Sequence, residues 1–249
     1  MKSIGEITKG IPVMPSRTVI DEIVSDLKPG SQPELTLEQL IAQQRREEEA
    51  ERQRARIEAR HKASGVPARF QQATIEGFEH RTKALGVAAG VMRDFVAEFD
   101  QHLRDGNCMI LAGPAGTGKT HLACAAIRAL CERGRRAQYI RLGDAIRRLR
   151  DTWRKDSAET ESEVLASFLL PDLLVIDEVG VQYGSEGEKV HAFDIIDGRY
   201  NAMRPTIVIT NCKPDELLAY LGERCVDRLL ENGGRMLVFD GKSNRTRAR

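Results

Sequence analysis

The chain has 249 residues, with 38 lysines and arginines against 37 aspartates and glutamates, for a net charge of +1. That length allows one substantial domain and an appendage, and the even charge balance leaves only local clusters to argue for nucleic-acid binding. Five scattered cysteines, Cys108, Cys124, Cys131, Cys212 and Cys225, without a C-x-x-C pair point to buried thiols rather than disulfides or zinc; with no membrane-length apolar run and no signal-peptide core, a cytoplasmic protein is expected.

The first 65 residues differ from the rest. In TVIDEIVSDLKPG, Val19, Ile20, Ile23, Val24 and Leu27 fall on one helical face, and Pro29 and Gly30 stop the helix. Thr36-Leu37-Glu38-Gln39 has the form of a capping box opening a second helix that carries Leu37, Leu40 and Ile41. The run QQRREEEAERQRARIEARHKA follows, with opposite charges four apart such as Glu48 and Arg52. It predicts a long solvated helix held by local ion pairs, without a core-facing stripe. A hairpin this small cannot build its own core, so its apolar faces are expected to dock on the main domain or on another protein. Gly65-Val66-Pro67 marks the boundary, which divides the chain into a helical region, 1–65, and a main domain, 66–249.

The main domain opens with a lead-in from Phe70 to Phe99, helical from about Lys83. Cys108–Ala112 then reads as a buried strand that breaks into Gly113, Pro114, Ala115, Gly116, Thr117, Gly118, Lys119, Thr120 and His121 as a helical pattern begins. This is G-x-x-x-x-G-K-T, the P-loop pattern. Glycine permits positive φ and close backbone approach, so successive N–H groups and the helix dipole can face phosphate oxygens. Lys119 then reaches the β- and γ-phosphates of ATP, and the Thr120 hydroxyl ligates Mg²⁺. Further strands are expected at Ala137–Leu142, in LLVIDEVG, in PTIVITN and at Met236–Phe239. Helices lie between them, over GDAIRRLRDTWRK, about Glu188–Met203 and Pro214–Leu230. Strands alternating with helices predict a parallel sheet covered on both faces, an α/β P-loop fold.

Chemistry collects at the predicted strand ends, where open α/β sheets bind ligands. Asp177 fits the acid that holds Mg²⁺, and Glu178 the base that polarises the attacking water. Asn211 could position that water against the γ-phosphate, or simply cap the turn after its strand. Arg224 and Arg228 share a helix face, either as an exposed ion-pair face or as the source of an arginine finger for a neighbouring subunit. Trp153 stands among arginines, including Arg150 and Arg154. It is either a stacking platform for single-stranded nucleic acid or a core-packed residue of a surface helix. Lys242, Arg245, Arg247 and Arg249 form a basic tail.

Taken together, GPAGTGKTHLA, LLVIDEVG, RPTIVITN and LGERCVDRL, in this order, resemble the DnaC-type branch of AAA+ ATPases, the replicative helicase loaders. The resemblance is close from about residue 66 onward and loose before it. It implies an AAA+ core without a C-terminal helical lid, preceded by a small helical region. It also implies Walker A roles for Lys119 and Thr120, Walker B roles for Asp177 and Glu178, and a sensor 1 role for Asn211. Arg228 takes the place of the arginine finger, and Arg245 that of the arginine standing in for sensor 2. By the same resemblance the domains self-assemble with ATP between them, so that the isolated monomer is a weak ATPase. Partners would be a hexameric, DnaB-type replicative helicase, gripped through Ile20, Ile23, Leu37, Leu40 and Ile41, and single-stranded DNA, met by Trp153, Arg150 and Arg154. Two other readings stand beside this one. A transposition helper of the IstB type shares the ATPase core, and a small-molecule P-loop kinase is opposed by Glu178.

Overall fold

The computed structural model describes residues 37–180, 186–241 and 243, apart from the side chains of Leu37 and Glu186. The chain divides into two units, Met1–Ala50 and Glu51–Arg249. Helix α1, Leu37–Ala63, starts in the first; there Gln43 donates to Glu47 and Gln44 to Glu48, one turn on. Leu40 and Ile41 are half-buried on this helix, whereas Ile20 and Ile23 lie outside the described residues. The last turn of α1 carries Arg60 and Lys62, cations at the negative end of the helix dipole. This last part does have a domain-facing side, contrary to the expectation of an unstriped solvated helix. Arg54, Ile57, Glu58 and His61 border a cavity whose other walls are Gln71, Gln72, Arg128, Cys131 and Glu132.

The second unit is built on five parallel strands: β1 Met109–Ala112, β2 Ala137–Arg141, β3 Leu173–Val179, β4 Thr206–Thr210 and β5 Arg235–Val238. Their order is β2-β3-β4-β1-β5. Strand residues alternate between faces, so the sheet feeds two cores. Met109, Leu111, Val175 and Ile207 point to one, with α2 Lys83–Ala97 and α4 Lys119–Glu132. Ile110, Leu174, Ile176 and Val208 point to the other. That face is covered by α5 Leu142–Asp151, α6 Glu161–Leu169, α7 Glu186–Asn201, α8 Pro214–Leu221 and α9 Glu223–Leu230. Ile110 and Leu111, both fully buried, each stabilise the fold by about 1.5–3 kcal/mol through apolar burial.

Three departures from the expected elements have local causes. The lead-in helix ends at Ala97, and a separate short helix, α3 Phe99–Asp105, takes over until Gly106 closes it in the left-handed conformation. Helix α6 was not expected, although Thr160 and Glu163 form a reciprocal capping box that starts it. Helix α5 ends at Asp151, which leaves Trp153 in the following turn rather than on the helix. Among the described residues no helix is long and apolar enough to cross a membrane.

Candidate nucleotide site

Three strand ends meet at the C-terminal edge of the sheet. Strand β4 lies between β1, which leads into the glycine-rich loop, and β3, which ends in the two acids. The register pairs Ala112 with Thr210, and Val179 with Thr210 after an irregularity in β3. Strand order alone therefore sets Asn211, exposed just past Thr210, between the loop and the acids.

The loop has the conformation its glycines allow, with positive φ at Gly113, Gly116 and Gly118. Helix α4 begins at Lys119, so the N–H groups of its first turn lack intrahelical acceptors and the dipole is positive here. The Thr117 hydroxyl donates to Pro114 O at 2.9 Å and braces the loop from inside. Lys119 is only 5% exposed, and its Nζ donates to Gly113 O at 2.6 Å and Pro114 O at 2.8 Å. An ammonium group thus stands over the anion-binding loop. His121 turns away toward the lead-in segment, with Nε2 3.3 Å from Thr74 O and its ring beside Phe78.

Across from the loop, Asp177 is buried and its carboxylate is satisfied from three sides. Oδ2 accepts from the Thr120 hydroxyl at 2.9 Å and from the Tyr139 hydroxyl at 2.9 Å, and Oδ1 accepts from Glu178 N–H at 2.7 Å. Burial, reinforced by the Asp177 charge, pushes the Tyr139 hydroxyl far above the ordinary tyrosine range, so it remains a donor. Glu178 is exposed and has a φ of 61°. A non-glycine residue in that region stores of order 1–3 kcal/mol of strain, of the kind that collects at functional sites. The juxtaposed Thr120 hydroxyl and Asp177 carboxylate are hard oxygen donors, the set that suits Mg²⁺.

These features are matched by known proteins. The model of the IstB-like ATP binding protein family matches residues 23–249. The replicative helicase loader DnaC of Escherichia coli K12 is 33% identical over 199 residues, 80% of each chain. The chain belongs to the DnaC/IstB family of AAA+ ATPases. A crystal structure of the DnaC helicase loader superposes with a TM-score of 0.63 at 26% identity, covering 70% of this chain and all of that one. AMPPCP-bound DnaA from Aquifex aeolicus shares the fold, with a TM-score of 0.58 at 24% identity over 70% of this chain and 51% of its own. Membership in the DnaC/IstB family makes this an ATP-binding AAA+ protein of the α/β P-loop class, with a helical region ahead of the core.

The remaining candidate residues fall into separate places. Arg228, on α9, is only 13% exposed; it ion-pairs with Asp197 of α7, and its guanidinium lies 5.6 Å from the Phe193 ring centre and 4.9 Å from that of Tyr200. Arg224 is exposed and stands over Phe193 at 5.5 Å. Trp153 is 64% exposed and thus not packed on the core, and its Nε1 donates to Glu161 at 3.0 Å. Arg150 pairs with Glu188 and Arg154 with Asp156. Arg245 lies outside the described residues. Two contacts escaped the reading of the sequence. Tyr139 reaches Asp177 from the neighbouring strand, a relation that needs the register Arg141↔Asp177 to be seen. Asp197 meets Arg228 through helix packing, for which no local signal exists.

Proposed function

We propose that this protein is an ATP-switched loader that binds a hexameric replicative helicase and delivers it onto single-stranded DNA. The observation that carries the reading is the identity to the E. coli loader, which extends over 80% of both chains rather than over the ATPase motifs alone. In this reading the loop N–H groups and Lys119 bind the triphosphate, and Thr120 and Asp177 hold Mg²⁺. The metal ion neutralises charge on the phosphate oxygens when bound. Glu178 polarises the attacking water, and Asn211 holds it in line. Arg228 is supplied to the site of an adjoining subunit, for which it must leave Asp197, and Arg245 contributes from the tail. Trp153, Arg150 and Arg154 form the single-strand contact, and the exposure of Trp153 supports a stacking role. The apolar positions Ile20, Ile23, Leu37, Leu40 and Ile41 form the helicase grip, and the region before residue 66 acts as the partner-binding domain.

Size-exclusion chromatography of the full chain with a hexameric replicative helicase tests this, in ATP, in ADP and without nucleotide. A co-eluting complex is expected, and it should be lost when Ile20, Ile23, Leu40 and Ile41 are changed to glutamate. Absence of co-elution in every nucleotide state overturns the loader assignment for that helicase. The match to the IstB-like family model favours a transposition helper as the second reading. Preference for duplex over single-stranded DNA, with capture of a transposase, would support it.

A further inference from the structure

Strand β2 is an edge strand, paired with β3 on one side only. Its outer edge is covered by the residues that follow α1. Tyr139 N–H donates to Ser64 O at 2.7 Å. Ser64 is itself buried, its hydroxyl donating to His61 O at 2.6 Å and accepting from Val66 N–H at 3.4 Å. Gly65 between them has a φ of 71°, and a Cβ there would stand 2.7 Å from Tyr139 O. Only glycine lets the chain lie this close to the strand. The end of α1 is thus clasped to the backbone of one residue of β2.

The side chain of that same residue enters the nucleotide site. Tyr139 is opposite Val175 and Arg141 is opposite Asp177, so Tyr139 and Asp177 are diagonal neighbours on one face of the sheet, within reach of an aromatic side chain. The Tyr139 hydroxyl and the Thr120 hydroxyl share Asp177 Oδ2, each at 2.9 Å. Thr120 belongs to the loop and helix that face the phosphates, whereas Tyr139 is anchored in the sheet. Of the two side chains on Oδ2, Tyr139 is therefore the one that does not depend on the loop; Oδ1 is held separately by Glu178 N–H.

We propose that Tyr139 is a positioning residue for Asp177, and that the clasp of Ser64, Gly65 and Val66 on β2 sets its height. The inference rests on the reading of Thr120 and Asp177 as the Mg²⁺ site. A tyrosine here orients the carboxylate as an outer-shell partner orients a metal ligand. It also joins the end of α1, mechanically and not only in sequence, to the acid of the site.

The test is binding of a fluorescent ATP analogue to the full chain, titrated with Mg²⁺ and repeated in EDTA. Tyr139→Phe keeps the ring and removes the hydroxyl. It should raise the Mg²⁺ concentration for half-maximal binding by about 10-fold, the size of a lost outer-shell contact, while metal-free nucleotide affinity stays at the wild-type value and the variant remains folded at the assay temperature. Gly65→Ala, which replaces no site side chain, should shift the Mg²⁺ dependence in the same direction by a smaller factor, and wild-type Mg²⁺ dependence in this variant overturns the role of the clasp. Wild-type Mg²⁺ dependence in Tyr139→Phe overturns the proposal, as does an equal loss of affinity with and without Mg²⁺. If wild-type protein shows no Mg²⁺-dependent binding, the Mg²⁺-nucleotide reading fails first and the proposal falls with it.

Discussion

Two buried cations stand at opposite edges of the same sheet, and both are held by carbonyl oxygens. At the C-terminal edge, Lys119 donates to Gly113 O and Pro114 O. At the N-terminal edge, Arg199 is fully buried at the end of α7, with Nε on Thr206 Oγ1 at 2.9 Å, Nη1 on Phe168 O and Pro171 O, and Nη2 on Pro205 O. The Arg199 partners come from three chain segments: the end of α6, the turn before β3 and the entry to β4. Its planar fork is matched to fixed acceptors, so moving it would leave several buried carbonyls without donors at once. Lys119 instead ends a flexible stem, and its Gly113 and Pro114 acceptors belong to one glycine-rich loop that, in the proposed function, trades them for phosphate oxygens. In the proposed function the same chemistry serves as a permanent rivet at one edge and as an exchangeable contact at the other. What marks Arg199 is that three chain segments depend on it at once.

Variants at the two edges should therefore separate stability from activity. The largest effect is expected for Glu178→Gln, at the strained residue of the C-terminal or upper edge, the Arg199 edge being the lower. Steady-state ATP hydrolysis should fall by about 10²–10⁴, the usual contribution of a general base, with nucleotide binding and the unfolding midpoint retained. Arg199→Met should do the reverse and cost about 3 kcal/mol or more in denaturant unfolding, because several buried acceptors each lose a donor at about 1–3 kcal/mol apiece. Its folded fraction should bind nucleotide as wild type does. Arg199→Lys should not restore the loss, because a single ammonium cannot reach the same acceptors. Lys119→Met comes next, weakening ATP affinity by about 1.5–3 kcal/mol, the range for a hydrogen bond to a charged group, with little change in stability. Substantial unfolding of Lys119→Met in denaturant well below the wild-type midpoint would break the distinction between the edges.

The upper edge was legible in the sequence because its chemistry is local. A loop of eight consecutive residues, Gly113 to Thr120, carries its own pattern, and Asp177 and Glu178 follow an apolar run on the same strand. The strands were found within one or two residues for the same reason, since each is a short apolar run bounded by turns. The lower edge was not legible. Nothing around Arg199 in HAFDIIDGRYNAM distinguishes it from a surface arginine, because every acceptor it uses is distant in sequence or is a backbone carbonyl. Tyr139 was missed likewise, since its link to Asp177 exists only once β2 and β3 are in register. Arg228 was singled out by its motif, yet its ion pair with Asp197 depends on the packing of α9 against α7. Helix α6 had its capping box in plain view, but its apolar content, Val164, Leu165, Phe168 and Leu169, is too short to stand out beside the strand that follows.

The cysteines give the smallest and most local test of the two edges. Cys108 lies at the Arg199 edge, its Sγ accepting Thr206 N–H at 3.3 Å, and Cys124 lies under the nucleotide site near Asp177. Burial pushes the Cys124 thiol up to about 12, with the Asp177 charge adding to it, and burial likewise raises Cys108, with Thr206 and Arg199 pulling the other way. A raised thiol pKa means that the neutral, unreactive form dominates at pH 8. Cys131 and Cys225 are also buried and raised, and Cys212, half-buried past the end of β4, is the accessible one. Titration of native protein with a disulfide reagent at pH 8 should therefore show one fast thiol, with all five reacting in denaturant. In Arg199→Met, Cys108 should become the second to react, because loosening the lower edge uncovers it faster than loss of the guanidinium raises its pKa. Lys119→Met should leave the pattern at one. If Cys108 stays protected in Arg199→Met, the three segments at the lower edge are held together by packing rather than by the buried guanidinium.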